Sequence, residues 1–134
     1  IIEQLDAEVR FIEYDIFTLS PNDTCPFGIG HDAPGDELDL DHGNPQTYCL
    51  ENWLQIIAEW SKTHEHNPLT VMVDLKDDLS DGIGFGMDVL DSMVENIFDK
   101  LLWTPKDLQE FRDTHSAPWP TVSQMRNKVL VLMS

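Results

Sequence analysis

Positive charge is scarce in this chain: 8 lysines and arginines stand against 25 aspartates and glutamates, a formal net charge of −17 over 134 residues. A field of that sign repels nucleic-acid backbones and strongly anionic membranes and attracts cations, so no nucleic-acid partner is expected. Long apolar runs are also missing, which excludes a transmembrane segment. The chain opens on the amphipathic IIEQLDAEVRF, with no basic region leading into an apolar stretch and a small-residue cleavage site. Any secretion signal is therefore expected to be absent or already removed. Only two cysteines occur, Cys25 and Cys49, and their spacing fits neither a zinc motif nor a CxxC pair. One disulfide closing the intervening loop and two buried thiols both fit. The glycines of DGIGFG lack the lysine and hydroxyl of a phosphate-binding loop and make no dinucleotide fingerprint, so that stretch reads as a flexible loop. No internal repeat or low-complexity segment is present.

What is there alternates between strand and helix. Residues 1–7 read as the end of a helix feeding a strand at 9–17, and a polar Gly- and Pro-containing loop spans 20–36. A strand follows near 38–42, flanked by the cysteine-bearing segments. TYCLENWLQIIAEWSKTH places Leu50, Trp53, Leu54, Ile57 and Trp60 on one helical stripe. The run LTVMVDL suits a strand buried on both faces of a parallel sheet. A second helix carries Val89, Leu90, Met93, Val94, Ile97, Phe98 and Leu101 on its apolar side. Thr104-Pro105 reads as an N-cap with proline at the first helical position, and KVLVLM as a closing strand. Four strands with intervening helices make a parallel α/β arc of a (β/α)8 TIM-type barrel. A complete barrel takes about 250 residues, so residues 1–134 are expected to form a single, incomplete domain.

Strand alternation singles out four charged side chains. Glu13 and Asp15 in VRFIEYDIF, and Asp74 and Lys76 in LTVMVDLK, are spaced two apart, so each pair projects to one side near a strand's carboxyl end. Three carboxylates offer hard oxygen ligands for a divalent cation, and a lysine beside them suits a phosphate. Most other carboxylates read as adaptation to solvent and salt.

QLDAEVRFIEYDIF, LDHG, CLENWLQIIAEWSKTHEHNPLTVMVDLKDD, LLWTPKDLQEF and WPTVSQMRNKVLVLM, in that order, resemble the calcium-dependent phosphoinositide-specific phospholipase C family nearly end to end. That family sits in a superfamily of TIM-barrel phosphodiesterases. The resemblance implies that Glu13, Asp15 and Asp74 are metal ligands for calcium, with magnesium the alternative. It implies that Lys76 faces the phosphate and that His42, beside Gly43, is the catalytic histidine that protonates the leaving alcohol. The implied substrate is a phospholipid or other phosphodiester at a membrane surface, cleaved to a cyclic inositol phosphate and diacylglycerol. Glycerophosphodiester phosphodiesterase and sphingomyelinase D-like activities are the alternatives within that superfamily, and a non-catalytic cation-binding fragment is the alternative outside it. The first catalytic histidine is expected upstream of QLDAEVRF and further strands beyond Ser134, so the chain is expected to be inactive in isolation. The expected location is secreted or extracellular. Two positions depart from the family pattern, because Glu8 and Asn127 stand where glycine is usual.

The remaining candidates have structural readings. Arg10 reads as an ion-pair partner for carboxylates near its strand, and His31 as a solvated loop residue. His64 and His66 read as positive charges complementing a helix end. Trp53, Trp60, Trp103 and Trp119 read as packing residues.

Overall fold

A computed structural model describes residues 1–79 and 85–134. Its elements run α1 (Ile2–Asp6), β1 (Phe11–Thr18), β2 (Phe27–Ile29), α2 (Leu50–Thr63), β3 (Leu69–Leu75), α3 (Met87–Phe98), α4 (Pro105–Thr114) and β4 (Val129–Met133). The sheet order is β2-β1-β3-β4. β1, β3 and β4 are parallel, while β2 runs antiparallel against the end of β1. Most of the loop expected at DGIGFG, residues 81–84, lies outside the described residues.

The strands are two-faced. Ile12, Tyr14 and Ile16 of β1 and Leu69, Val71 and Val73 of β3 are buried on the side that packs against the helices. The other face carries Phe11, Glu13 and Asp15 of β1 with Thr70, Met72 and Asp74 of β3. Thr70 and Met72 are only half-buried, so β3 is covered on one face and not on both as its apolar run suggested. The expected stripe of α2 is buried in full, and Leu90, Val94 and Phe98 of α3 join the same core. α4 opens with a capping box in which the Thr104 side chain and Asp107 satisfy each other's backbone N–H, with Pro105 behind the cap.

Two expectations fail between β1 and α2. A short strand, β2, sits inside the stretch read as a loop, and residues 38–42 form no strand. The alternation in LDLDH mimics a strand, but its aspartates build a turn instead. Asp39 Oδ1 accepts from the Asp41 N–H at 2.9 Å, and the Asn44 N–H donates to Asp41 O at 3.0 Å. His42 and Gly43 then have φ of +56° and +77°, the left-handed region closed to a strand. After β2 the chain runs back alongside β1, and residues 38–44 come to lie by Phe11, Val9 and α1. A Cys25–Cys49 disulfide, with Cα atoms 5.9 Å apart, cinches the base of this excursion and settles which reading of the cysteines holds. Closing a loop of that length is worth about 3 kcal/mol on chain-entropy grounds.

Basic and histidine residues also differ from expectation. Arg10 makes no ion pair among the described residues; its guanidinium donates to Leu5 O and Val9 O and lies 5.3 Å from the Trp60 ring centroid. The backbone carbonyls of a tight junction outcompeted the carboxylates for it. Trp119 is 47% exposed and is not a packing residue. His66 is no exposed helix-end cation, being 4% exposed. Its Nδ1 bonds Asn67 O at 2.7 Å, which fixes Nδ1 as donor and leaves Nε2 to accept from Ser61 Oγ at 2.6 Å. Burial holds its pKa below the usual histidine value, and Arg10 and His64 push the same way.

The sign of the resulting pH dependence follows from that depression. The unfolded chain protonates His66 near pH 6.5, and the folded protein takes up that proton only at a lower pH. Its contribution is complete above about pH 6.5 and declines as the pH falls below that. Urea unfolding at pH 7.5 and pH 5.5 should show a larger loss on acidification for the wild type than for His66→Gln. An equal loss in both proteins contradicts this assignment.

Candidate functional site

Register assembles the site. Asp15 of β1 lies directly opposite Asp74 of β3, and Glu13 lies one alternation below on the same face. Ligand oxygens of Glu13, Asp15 and Asp74 all fall within 4.8 Å of one another. Like charges facing each other across a ladder are destabilising, and Lys76 offsets this. Its Nζ lies 2.5 Å from Asp74 Oδ2 and 3.2 Å from Asp15 Oδ1. The ammonium of Lys76 draws the Asp74 carboxyl below the ordinary carboxylate range, and Ser134 adds to the effect. In return, Asp74 and then Asp15 raise the Lys76 pKa.

Asp77, two residues past the end of β3, is tied to the end of β1 beside this cluster. Asp77 accepts the Thr18 N–H with both carboxylate oxygens, at 3.1 and 3.0 Å, and the Thr18 hydroxyl at 3.0 Å. This side chain extends the β1–β3 ladder past its last backbone bond, Lys76 N–H to Ile16 O at 3.0 Å. Among the described residues, Lys76 is the lysine or arginine that pairs with this cluster. Arg10 precedes β1, Lys62 lies in the last turn of α2, and the other five fall between α3 and β4 in the chain.

His31, and not His42, lies against the carboxylates. His31 follows β2 immediately, and its Nδ1 lies 3.4 Å from Asp15 Oδ2. With Glu13, Asp15, Asp36 and Glu37 it lines a hollow of about 280 Å³. Its ring is 62% exposed, so it meets solvent as expected while bordering the carboxylates. His42 is not brought to the cluster; its Nδ1 faces Asp39 Oδ2 at 3.1 Å. It lines an adjoining hollow of about 450 Å³ with Phe11, Val9 and Asn44, toward the start of β1, which shares Glu13, Tyr14, Ile29 and Leu38 with the first. The returning loop carried His42 down the strand, which alternation in LDLDH could not reveal. His31 was read in the sequence as a solvated loop residue, and Asp77 and Ser134 were not singled out there. A histidine following the apolar FGIG was the available signal for the first.

The donor set fits a hard divalent cation: three carboxylates from two adjacent strands converge on one point from an open face. The neighbouring hollow leaves room for a ligand beside it.

Comparison with known proteins bears on the family and the fold. The family model for the phosphatidylinositol-specific phospholipase C X domain matches residues 1–134. Among solved structures, a calcium-dependent phosphoinositol-specific phospholipase C from Pseudomonas sp. is 24% identical with a TM-score of 0.78, covering 97% of this chain and 49% of that one. A Ca2+-dependent phosphatidylinositol-specific phospholipase C from Streptomyces antibioticus is 16% identical with a TM-score of 0.81, covering 98% of this chain and 46% of that one. The chain spans about half the length of these structures, and the likeness establishes its fold as an arc of a TIM-type barrel. Comparison with curated proteins gives no match.

Gly30 is the pivot that delivers His31. A Cβ there would sit 1.9 Å from Ala33 O and 2.9 Å from the Asp36 and Gly35 nitrogens, all backbone atoms. Gly30→Ala should therefore cost about 1–3 kcal/mol of stability and displace the imidazole from Asp15. Chemical denaturation and the ¹⁵N shifts of His31 check this, and unchanged values of both count against it.

Proposed function

The chain belongs to the phosphatidylinositol-specific phospholipase C X-domain family, and on that premise we propose that it supplies the cation site and part of the acid–base machinery of a phosphodiesterase cleaving phosphatidylinositol. The convergence of Glu13, Asp15 and Asp74 beside Lys76 carries this reading. These three carboxylates would hold a divalent cation, calcium before magnesium, which when bound supplies positive charge to the phosphate and acidifies the attacking hydroxyl. Lys76 stands where a phosphate oxygen meets an ammonium already oriented by two aspartates.

The chemistry is an intramolecular displacement. An inositol hydroxyl next to the phosphate gives its proton to a base, the role left to the first catalytic histidine expected upstream, as its oxygen bonds to phosphorus; the bond from phosphorus to the glycerol oxygen breaks, and the products are a cyclic inositol phosphate and diacylglycerol. A glycerol alkoxide is a poor leaving group near neutrality, so a proton must reach its oxygen as the bond breaks. Imidazole titrates in the right range to give that proton. The resemblance assigned this role to His42, but His31 is the imidazole that borders the carboxylates, and we assign the proton to it. The single domain works at a membrane surface, and the buried disulfide suits a secreted protein folded in an oxidising compartment.

Turnover of phosphatidylinositol vesicles by the protein in its longest reading frame, with calcium and with chelator, tests this. Chelator should abolish activity, and Glu13→Gln, Asp15→Asn or Asp74→Asn should each lower it about 100-fold or more. His31→Ala should lose about 10²- to 10⁴-fold and His42→Ala little, as expected for removal of a general acid alone. Chelator-resistant turnover, or none, refutes the proposal. Hydrolysis of glycerophosphodiester or lysophospholipid in its place points to the superfamily alternatives, and calcium binding without any turnover points to a non-catalytic protein.

A further inference from the structure

Asp74 is held from both sides. Lys76 takes Oδ2, and the hydroxyl of Ser134 donates to Oδ1 at 3.0 Å. The backbone of Ser134 is fixed on either side of the aspartate: its N–H donates to Val73 O at 3.1 Å and its carbonyl accepts the Leu75 N–H at 3.0 Å. Ser134 thus continues the β3–β4 ladder one step past the Val73–Met133 pair and brings a third strand to the cluster.

We propose that Ser134 is a positioning residue for the cation site, its hydroxyl holding one oxygen of Asp74 so that the carboxylate stays open toward Glu13 and Asp15. This rests on reading those three carboxylates as a cation site. The terminal torsion of an aspartate is broad, and an ammonium beside it favours rotation until both oxygens share the charge. A neutral donor on the far oxygen opposes that rotation without adding a positive charge that would repel the cation. Serine suits the role because a hydroxyl donates one proton and keeps lone pairs for other donors.

Calorimetric titration of the protein with calcium alone tests the assignment. Ser134→Ala should bind about tenfold more weakly, the scale of losses seen when a group orienting a metal ligand is removed. Ser134→Thr keeps the hydroxyl and should restore affinity to within about twofold of the wild type. The unfolding midpoint of Ser134→Ala without calcium should match the wild type, which separates positioning from a general structural role. Wild-type affinity in Ser134→Ala, or a Ser134→Thr protein as weak as Ser134→Ala, overturns the proposal. Glu13→Gln in the same series separates the two layers. If it weakens binding while Ser134→Ala does not, the positioning role alone fails. If it changes nothing, or the wild type takes no calcium, the cation reading fails and this proposal with it.

Discussion

The parallel pairing of β1 with β3 is the constraint on which the site depends. It sets two aspartates face to face, an arrangement that repels itself and persists because Lys76 lies between them. The register is not set by the charges. Ile12 and Ile16 on one strand and Val71 and Val73 on the other must all face the helices, and a slip of one residue would turn every one of them outward. Burial of the apolar face thus dictates where the carboxylates meet on the other. Hydrophobic burial supplies the free energy that holds an electrostatically unfavourable cluster together.

Around that core the irregular segments have separate tasks. The excursion from β2 to α2 is closed at its base by the disulfide and places His31 beside Asp15 through the backbone turn at Gly30. On the far side, the Thr18–Asp77 contacts join the first residues past β3 to the end of β1. Strands give the site its spacing, and two side-chain or covalent ties keep the adjoining loops from drifting away from it.

How much of this was legible follows from which physical signal each feature has. Period-two alternation identified Glu13, Asp15, Asp74 and Lys76, because a strand imposes that geometry locally. Helical spacing gave the α2 and α3 faces for the same reason, and Thr104-Pro105 marked the start of α4 through cap chemistry alone. LDLDH deceived because alternation also arises in aspartate-rich turns, where side-chain acceptors compete with the ladder for backbone N–H groups. The return of residues 38–44 alongside β1 depends on contacts distant in sequence, so the placement of His42 and His31 had no local signature. His66 escaped for a related reason: its position at the end of α2 suggested solvent, and the turn at Asn127 covers it.

The residues that lead into β1 and β4 are left-handed. Glu8 before β1 has φ of +66° and Asn127 before β4 has φ of +61°, the two positions at which the resemblance implies glycine. A side chain in that region carries a steric penalty of about 1–2 kcal/mol, less for asparagine, while a glycine would release more backbone entropy on unfolding. Asn127 recovers its cost, since its Oδ1 accepts the His66 N–H at 2.8 Å and ties the start of β4 to the start of β3. Glu8 is exposed and makes no such bond among the described residues. The two junctions are therefore held by different means: an asparagine side chain ties β4 to the start of its neighbour, whereas the turn between α1 and β1 is closed by the Arg10 guanidinium on Leu5 O and Val9 O.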